Sequence, residues 1–313
     1  MNAAVKPTRD HVVWAYRLIL GREPESEEAV DRHLELAESV EQLRHAFFAS
    51  PEFIARSQPP HSFRSADIVI KELTEFRLFL DLSDVHIGLP VSRGAYELAA
   101  QDFICRTVAE GQIAIDIGSN IGFFAMLLAQ RVGPEGHVYA FEPLERNATL
   151  LARSTDENGF AERVTLSRAA VGAADGEMQL VWAQQTNNSG GAYLQPLSAP
   201  VPPSHVASRV PVVSLDRFPL RRPISFMKVD AEGAELLVLK GARTILAADR
   251  PIVLSEINPA QLRAVSEHDA DELLAEMERQ GYVCRPLGAS GLEKPIQRYR
   301  GDQITNVVFV PRQ

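Results

Sequence analysis

Residues 113–123 read IAIDIGSNIGF, an apolar run that ends beside an acid and continues into a glycine-containing turn. The next residues, 123–129 (FFAMLLA), are typical of a helix, and strand, turn and helix in this order form the first half of a βαβ unit. Gly118 and Gly122 permit backbone angles and close approaches that a Cβ blocks. Asp116 places a carboxylate near the carboxyl end of the strand, where open α/β sheets bind ligands.

The spacing of the turn favours a nucleoside-type cofactor over a dinucleotide. A dinucleotide site has the pattern G-x-G-x-x-G, whereas this turn reads G-x-N-x-G. Asn120 is at a position where asparagine tolerates a left-handed backbone conformation better than most residues other than glycine. The next predicted strand, His137–Pro143, brings a second acid, Glu142, which can accept hydrogen bonds from both ribose hydroxyls. S-adenosylmethionine fits two acids because it carries an ammonium, a sulfonium and a ribose diol but no phosphate. A purely structural tight turn is the alternative.

Three segments resemble the FkbM family of S-adenosylmethionine-dependent methyltransferases: residues 116–123 (DIGSNIGF), residues 141–143 (FEP) and residues 227–242 (MKVDAEGAELLVLKGA). The resemblance covers about Glu72 to Pro311. It implies a Rossmann-like class I methyltransferase fold: a seven-stranded, mostly parallel sheet with helices on both faces. It also implies O-methylation of a hydroxyl on a sugar, glycan or natural-product acceptor, without identifying that acceptor.

The residues and the resemblance together predict a donor site. The family places Glu97 near the methionine end, although an exposed first-turn glutamate is an equally good interpretation. The fold places Asn147 near the ribose and the turn after the third strand along the adenine. The predicted donor-binding residues are Glu97, Asp116, Gly118, Ser119, Asn120, Gly122, Phe123, Glu142, Pro143, Asn147, Ala169, Ala170 and Val171.

A predicted strand at residues 224–230 ends in acids that are candidates for the chemistry. Asp230 and Glu232 are predicted to accept the hydroxyl proton and to position the acceptor. Lys228 shares a strand face with Asp230 and can pair with one of these acids. A magnesium site formed by Asp230, Glu232 and Glu256 is a rival interpretation. In a third interpretation these acids have no chemical role and only cap the helix that follows the strand.

Other strands and one long helix complete the expected domain. Residues 251–256 form a further parallel strand, and residues 281–284 and 305–310 an antiparallel pair. Residues 178–182 (MQLVW) predict a strand near the edge of the sheet, and residues 260–279 one amphipathic helix.

Composition limits the possible partners and location. The chain has a net charge of −9 and a pI of about 5.5, which opposes general binding to nucleic acid. Two cysteines, Cys105 and Cys284, form no disulfide framework and no metal-binding spacing. No apolar run approaches the roughly 18 residues of a membrane span, and no signal segment is evident, so a cytoplasmic protein is expected.

Residues 1–57 predict a separate small all-α domain, followed by a proline-containing linker at residues 58–71 and the methyltransferase domain at residues 72–313. Residues 16–24 (YRLILGREP) and 50–53 (SPEF) resemble a helical domain that accompanies bacterial glycan-synthesis proteins. This resemblance implies docking to such a partner or self-association. A helical cap on the catalytic domain is the alternative.

Two other functional classes remain open. One is a catalytically silent scaffold that docks through its N-terminal helices. The other is a nicotinamide-dependent oxidoreductase, which the absence of G-x-G-x-x-G disfavours.

Overall fold

The computed structural model describes residues 6–19, 22–48, 50, 68–183 and 188–312. Its contacts divide the chain into two compact units, residues 1–64 and residues 65–313. Most of the predicted linker, residues 58–67, lies outside the described residues, and residues 68–71 belong to the first strand. None of the described helices combines the length and the apolar character that crossing a membrane requires.

The described residues of the N-terminal unit contain three helices: Arg9–Ile19, Glu27–Leu36 and Val40–Phe48. The second helix begins after Ser26, whose hydroxyl accepts a hydrogen bond from Ala29 N. Buried apolar side chains from all three helices pack together: Val12, Tyr16, Val30, Ala37, Leu43 and Phe47. This part of the chain therefore has a small core of its own.

The larger unit is built on a mostly parallel sheet. Its strands are β3 (Ile113–Ile117), β4 (His137–Phe141), β5 (Val164–Ser167), β10 (Phe226–Val229), β11 (Ile252–Ile257), β12 (Tyr282–Gly288), β13 (Gly291–Leu292) and β14 (Thr305–Pro311). Their order is β13-β12-β14-β11-β10-β3-β4-β5. Strands β12 and β14 pair antiparallel, as predicted, and β14 also pairs antiparallel with β11. Eight strands replace the expected seven because the two-residue β13 extends β12 by a hairpin.

Helices cover both faces of this sheet. Residues of β3 alternate between them, with Ala114 in one apolar cluster and Ile113, Ile115 and Ile117 in the other. The first face carries the helices Gly88–Ser92, Leu98–Thr107, Phe123–Val132 and Glu145–Glu157, and the second the helices Glu235–Lys240, Arg243–Ala248 and Ala270–Arg279. The structure is thus a Rossmann-like α/β fold with a small all-α unit.

Residues 178–182 do not join the edge of the main sheet. They belong to β7 (Gly176–Ala183), which lies in a separate four-stranded sheet with β6 (Ala170–Val171), β8 (Tyr193–Gln195) and β9 (His205–Val213), in the order β6-β9-β7-β8. Residues 168–169 connect β5 of the main sheet to β6 of this second sheet. A third, two-stranded sheet pairs β1 (Ile68–Glu72) with β2 (Arg77–Asp81).

The single helix expected at residues 260–279 is interrupted. A short turn, Pro259–Gln261, continues as a π-turn, Leu262–Ser266, and ends at Glu267, which has a left-handed backbone conformation. A new helix, Ala270–Arg279, then begins with a capping box formed by Asp269 and Glu272. The apolar periodicity hid this break because both segments bury residues against the same face of the sheet.

Candidate functional site

The acids predicted from the sequence meet at one edge of the main sheet. Ile117 is aligned with Phe141 of β4 and with Val229 of β10, so that Gly118, Glu142 and Asp230 follow at the same level. Ser255 of β11 lies opposite Val229, which brings Glu256 to this edge as well. Parallel strands with matched ends therefore converge their loops on one crevice.

A cavity of about 240 Å³ opens at this edge. Fourteen of the predicted donor, catalytic and metal residues line it: Glu97, Gly118, Ser119, Asn120, Phe123, Glu142, Pro143, Ala169, Ala170, Val171, Lys228, Asp230, Glu232 and Glu256.

Three predicted donor residues, Asp116, Gly122 and Asn147, lie outside the lining of this cavity. Asp116 is fully buried in β3 beneath it. Gly122 contacts the helix Glu145–Glu157, because a Cβ on Gly122 would lie 2.7 Å from Leu151 Cγ. Asn147 donates a hydrogen bond to the carbonyl of Ser189 at 3.1 Å. These three residues support the walls of the cavity.

Gly118 fixes the distance between two neighbouring strand ends. Its φ is +72°, and a Cβ there would lie 1.7 Å from the backbone oxygen of Asp230. Glycine is therefore required at position 118 because the turn passes close to the end of β10. The motif alone suggests a different reason, namely that the backbone of the turn passes close to the ligand.

Glu142 holds the glycine-containing turn in place. One carboxylate oxygen accepts a hydrogen bond from Asn120 N and the other accepts one from Leu144 N, each at 2.8 Å. Burial raises the pKa of Glu142 to about 7 despite these two hydrogen bonds. Each oxygen keeps a second lone pair toward the cavity, so Glu142 can orient the turn and accept ligand hydroxyls together.

A loop from the small sheet closes one side of the cavity, and Ser189 attaches it. Ser189 N donates to Asp84 Oδ2 at 2.9 Å and Ser189 Oγ to Asn120 Oδ1 at 3.0 Å. Together with the bond from Asn147, three segments distant in sequence hold this one residue. The wall formed by residues 188–190 is thereby attached directly to the glycine-containing turn.

Lys228 is buried between two carboxylates. It lies opposite Asp116 in the β10–β3 pair, and its Nζ donates to Asp230 Oδ2 at 2.9 Å. Burial opposes the charge of Lys228, but the carboxylates of Asp230, Glu97 and Asp116 outweigh it and raise the lysine pKa. Burial also raises the pKa of Asp116 to about 6, while Lys228 limits that shift.

The remaining acids of the cavity repel one another. Burial, with the charges of Asp230 and Glu256, raises the pKa of Glu232 to about 9. Burial, with the charge of Asp230, raises the pKa of Glu256 to about 8. These raised pKa values favour the neutral form of both acids at neutral pH, and a bound cation would favour their ionisation.

This electrostatic arrangement predicts that the unliganded protein loses stability as pH rises. Because the pKa of Glu232 is raised from 4.5 to about 9, the folded state binds more protons than the unfolded state between these values. The free energy of unfolding should therefore fall from pH 7 to pH 9, lowering the melting temperature by about 3 °C or more. Glu232→Gln should flatten this dependence, as measured by thermal unfolding across pH. The exposed Glu278→Gln is the matched control, and equal slopes in the two variants would contradict the prediction.

Within the described residues, no group of three or more His, Cys, Asp or Glu side chains is arranged to hold a metal ion. Asp230, Glu232 and Glu256 share the cavity, but Asp230 is engaged by Lys228.

Tyr96, which the family resemblance places with Glu97 near the methionine end of the donor, lines the cavity and contacts Phe123 edge to face. Several other cavity residues carry no signal in the sequence: Phe124 contacts Phe123 edge to face, and Leu180 and Leu194 come from the small sheet. Such apolar residues look like any core residue until the fold brings them together. The exposed His86 also lines the cavity, and a lone histidine in a turn gave no reason to select it.

Comparison with known protein families identifies the family of this chain. A model of the methyltransferase FkbM domain matches residues 116–284, more than half of the chain, and these residues include the end of β3 and all of β4, β10 and β11. No curated protein matches the sequence significantly.

Solved structures with low sequence identity were also found. Methyltransferase FkbM from Methylobacillus flagellatus is 17% identical with a TM-score of 0.41, and the match covers 95% of this chain and 58% of that one. A putative rRNA-methylase from Clostridium thermocellum is 14% identical with a TM-score of 0.42, covering 68% and 95%. M. jannaschii TYW2 in complex with AdoMet is 12% identical with a TM-score of 0.43, covering 79% and 86%.

Proposed function

This chain belongs to the FkbM methyltransferase family, and on that premise we propose that it transfers the methyl group of S-adenosylmethionine to a hydroxyl of a sugar, glycan or natural product. The observation that carries the proposal is the cavity at the carboxyl edge of the sheet. Its lining holds one lysine, Lys228, and five acids: Glu97, Glu142, Asp230, Glu232 and Glu256.

The charge of this cavity supports a cationic donor. S-adenosylmethionine brings an ammonium and a sulfonium against a single carboxylate, so it is a net cation that the acids attract in their ionised forms, and it brings no phosphate for them to repel. A nicotinamide dinucleotide brings a pyrophosphate, and the turn at Gly118 lacks the glycine spacing that receives one. The acids therefore favour a methyl donor over a dinucleotide.

The lining also supports an orientation for the donor. Ala169, Ala170 and Val171 offer small apolar surfaces to the adenine, and Glu142 offers free lone pairs to the ribose hydroxyls. Glu97 lies on the side of Lys228 and Asp230, where the ammonium would be held. The methyl group would then face the end of β10.

Methyl transfer from a sulfonium is an in-line displacement, and the donor is already activated. The protein has to align the acceptor oxygen about 3 Å from the methyl carbon and to take up the hydroxyl proton. Asp230 and Glu232 are proposed for these tasks, with Lys228 holding Asp230 in position at 2.9 Å.

Binding and turnover assays test this function directly. Calorimetric titration with S-adenosylhomocysteine and with NADH should give saturable binding of the first alone. Methyl transfer should then be assayed against nucleotide sugars, lipid-linked glycans and small hydroxylated metabolites. Binding of neither compound would favour the scaffold, and binding of NADH alone would favour the oxidoreductase.

Glu142→Gln is expected to weaken donor binding by about 10- to 100-fold, measured by calorimetry. In the unaltered protein, Asn120 N and Leu144 N each donate a hydrogen bond to one oxygen of the Glu142 carboxylate. In the glutamine variant, an amide nitrogen replaces one of these oxygens and cannot accept a hydrogen bond from the N–H group that faces it. The variant thus loses a hydrogen bond to the turn and the charge near the ribose.

The matched control is Glu145→Gln, because Glu145 is exposed and lies outside the cavity lining. Its donor affinity should remain that of the unaltered protein. Asp116→Ala should also weaken donor binding, through the loss of a carboxylate beneath Lys228. Unchanged affinity in both Glu142→Gln and Asp116→Ala would overturn the donor site.

We also propose that residues 1–57 form a separable domain that binds a partner or a second copy. A chain beginning at Ser65, the first residue of the larger unit, should fold and bind S-adenosylhomocysteine with unchanged affinity. Circular dichroism and calorimetry check this expectation. An insoluble shortened chain would instead make the N-terminal helices part of the catalytic fold.

A further inference from the structure

A second cavity, of about 710 Å³, lies at the same edge of the main sheet. It is formed by the end of β12, the start of β14 and the segment between them, residues 293–300. We call it the arginine cavity, after Arg298 and Arg300, which line it together with Gln297, Tyr299, Thr305 and Glu293.

The two arginines are available to a ligand. Both are exposed, and neither forms an ion pair or a side-chain hydrogen bond within the part of the chain that the structure describes. Other arginines of this unit are engaged, as Arg222 is by Asp249 at 2.7 Å and Arg243 by Glu276 at 2.8 Å. These two guanidinium groups outnumber the one carboxylate of the lining, that of Glu293, so the side chains that line this cavity carry a net positive charge.

The segment that carries the arginines is fixed between them and just before them. Tyr299, between the two arginines, donates from its N to Asp271 Oδ1 at 2.7 Å and from its hydroxyl to Thr305 Oγ1 at 2.8 Å. Before them, Ile296 N donates to the carbonyl of Cys284 at 2.9 Å. The backbone that presents both guanidinium groups is therefore anchored to the helix Ala270–Arg279 and to β12.

The arginine cavity adjoins the cavity proposed to bind S-adenosylmethionine, which we call the donor cavity. Thr305 lines the arginine cavity. The next residue, Asn306, lies opposite Glu256, which lines the donor cavity, in the β11–β14 pair. The side-chain amide of Asn306 donates to Glu97 Oε2 at 3.4 Å. One residue step along β14 and one pairing across to β11 thus connect the lining of the arginine cavity to the lining of the acidic cavity.

We propose that the arginine cavity binds an oxyanion of the acceptor, a phosphate or a carboxylate, whose hydroxyl enters the donor cavity. A guanidinium group presents N–H donors in a planar fork that matches both kinds of oxyanion. The bound cationic donor favours the ionised forms of the acids in the donor cavity. These carboxylates repel an oxyanion, so the two cavities together orient the acceptor with its hydroxyl toward the methyl donor. The assignment to the acceptor rests on the proposed function, whereas the oxyanion site does not.

Calorimetry on the full chain, without donor, tests the oxyanion site at low ionic strength. The probes are sodium pyrophosphate for a phosphate source and sodium glucuronate for a carboxylate source. We expect saturable binding at one site, and the probe with the higher affinity identifies the source. The double variant Arg298→Ala/Arg300→Ala should weaken that binding by about tenfold or more.

The matched control is Arg106→Ala/Arg209→Ala, which removes the same charge from exposed arginines outside both cavities. It should leave the affinity within about twofold, because distant exposed charges are screened. Absence of saturable binding of both probes, or equal losses in the two double variants, would overturn the oxyanion site.

Kinetics on an acceptor found in the panel above tests the assignment to the acceptor. Arg298→Ala/Arg300→Ala should raise the acceptor KM about tenfold while leaving the donor KM unchanged. An unchanged acceptor KM with weakened binding of the oxyanion probe would overturn the assignment to the acceptor. Absence of transfer to every acceptor would count against the proposed function alone.

Discussion

Asp230→Asn is expected to lower kcat by about 100-fold or more while leaving the affinity for S-adenosylhomocysteine within about threefold. The substitution keeps the size of the side chain and removes the carboxylate beside the proposed transfer position. Asparagine still offers an oxygen to Lys228 Nζ, which now donates to Asp230 at 2.9 Å. Steady-state kinetics measures kcat, and thermal unfolding separates a catalytic loss from a folding loss.

Glu232→Gln is the comparison for this variant. Because the pKa of Glu232 is raised to about 9, a base at this position gains its active form as pH rises. If Glu232 takes the proton, kcat of the unaltered enzyme should increase from pH 7 to pH 9, and the glutamine variant should lose that increase. If kcat falls only in Asp230→Asn, and by the same factor at every pH, the proton transfer would be assigned to Asp230.

Full activity in both variants would leave these acids as helix-capping groups and contradict the proposed chemistry. The base would then have to come from elsewhere in the lining, where the structure offers His86. EDTA tests the magnesium alternative: activity lost on chelation and restored by Mg²⁺ would make the acids metal ligands.

Gly118→Ala is expected to abolish detectable donor binding and to lower the melting temperature strongly. The added methyl group would lie 1.7 Å from the carbonyl oxygen of Asp230, and no rotamer can relieve a clash between a Cβ and a backbone atom. The cost should exceed the roughly 1–3 kcal/mol that is typical of overpacking, because β3 and β10 must separate. Calorimetry with S-adenosylhomocysteine and thermal unfolding measure the two effects.

Gly111→Ala is the matched control because Gly111 also has a positive φ, of +79°, but a Cβ there meets no atom within 4 Å. It therefore carries the backbone strain of a left-handed alanine, about 1 kcal/mol, without the clash. Donor binding should be unchanged in this variant. If Gly118→Ala were no more damaging than Gly111→Ala, the close approach of β3 to β10 would not be what requires the glycine.

The strands and the converging acids could be predicted from the sequence because both follow from local rules. Apolar runs such as residues 113–117 and 252–257 indicate buried parallel strands, and matched strand ends bring Glu142, Asp230 and Glu256 to one edge. The glycine-containing turn is recognisable because only a few residues tolerate its backbone angles. These features depend on residues close in sequence and on a few rules of α/β topology.

The remaining features of the site depend on which distant segments pack together. The alternation of residues 178–182 indicates a strand but not its sheet, since pairing depends on residues 193–213. Only the folded chain shows that Asp84, Asn120 and Asn147 all form hydrogen bonds with Ser189.

The sequence by itself determined the fold class, the sheet edge at which the candidate site lies and half of the residues that line it, because strand character and strand ends are encoded locally. Only the tertiary structure decided that Asp116 is buried beneath the cavity, that Gly118 makes room for β10, and that Lys228 neutralises part of a cluster of acids. Burial and distances between residues far apart in the chain set pKa values and steric limits. A linear pattern of residue types contains neither of these quantities.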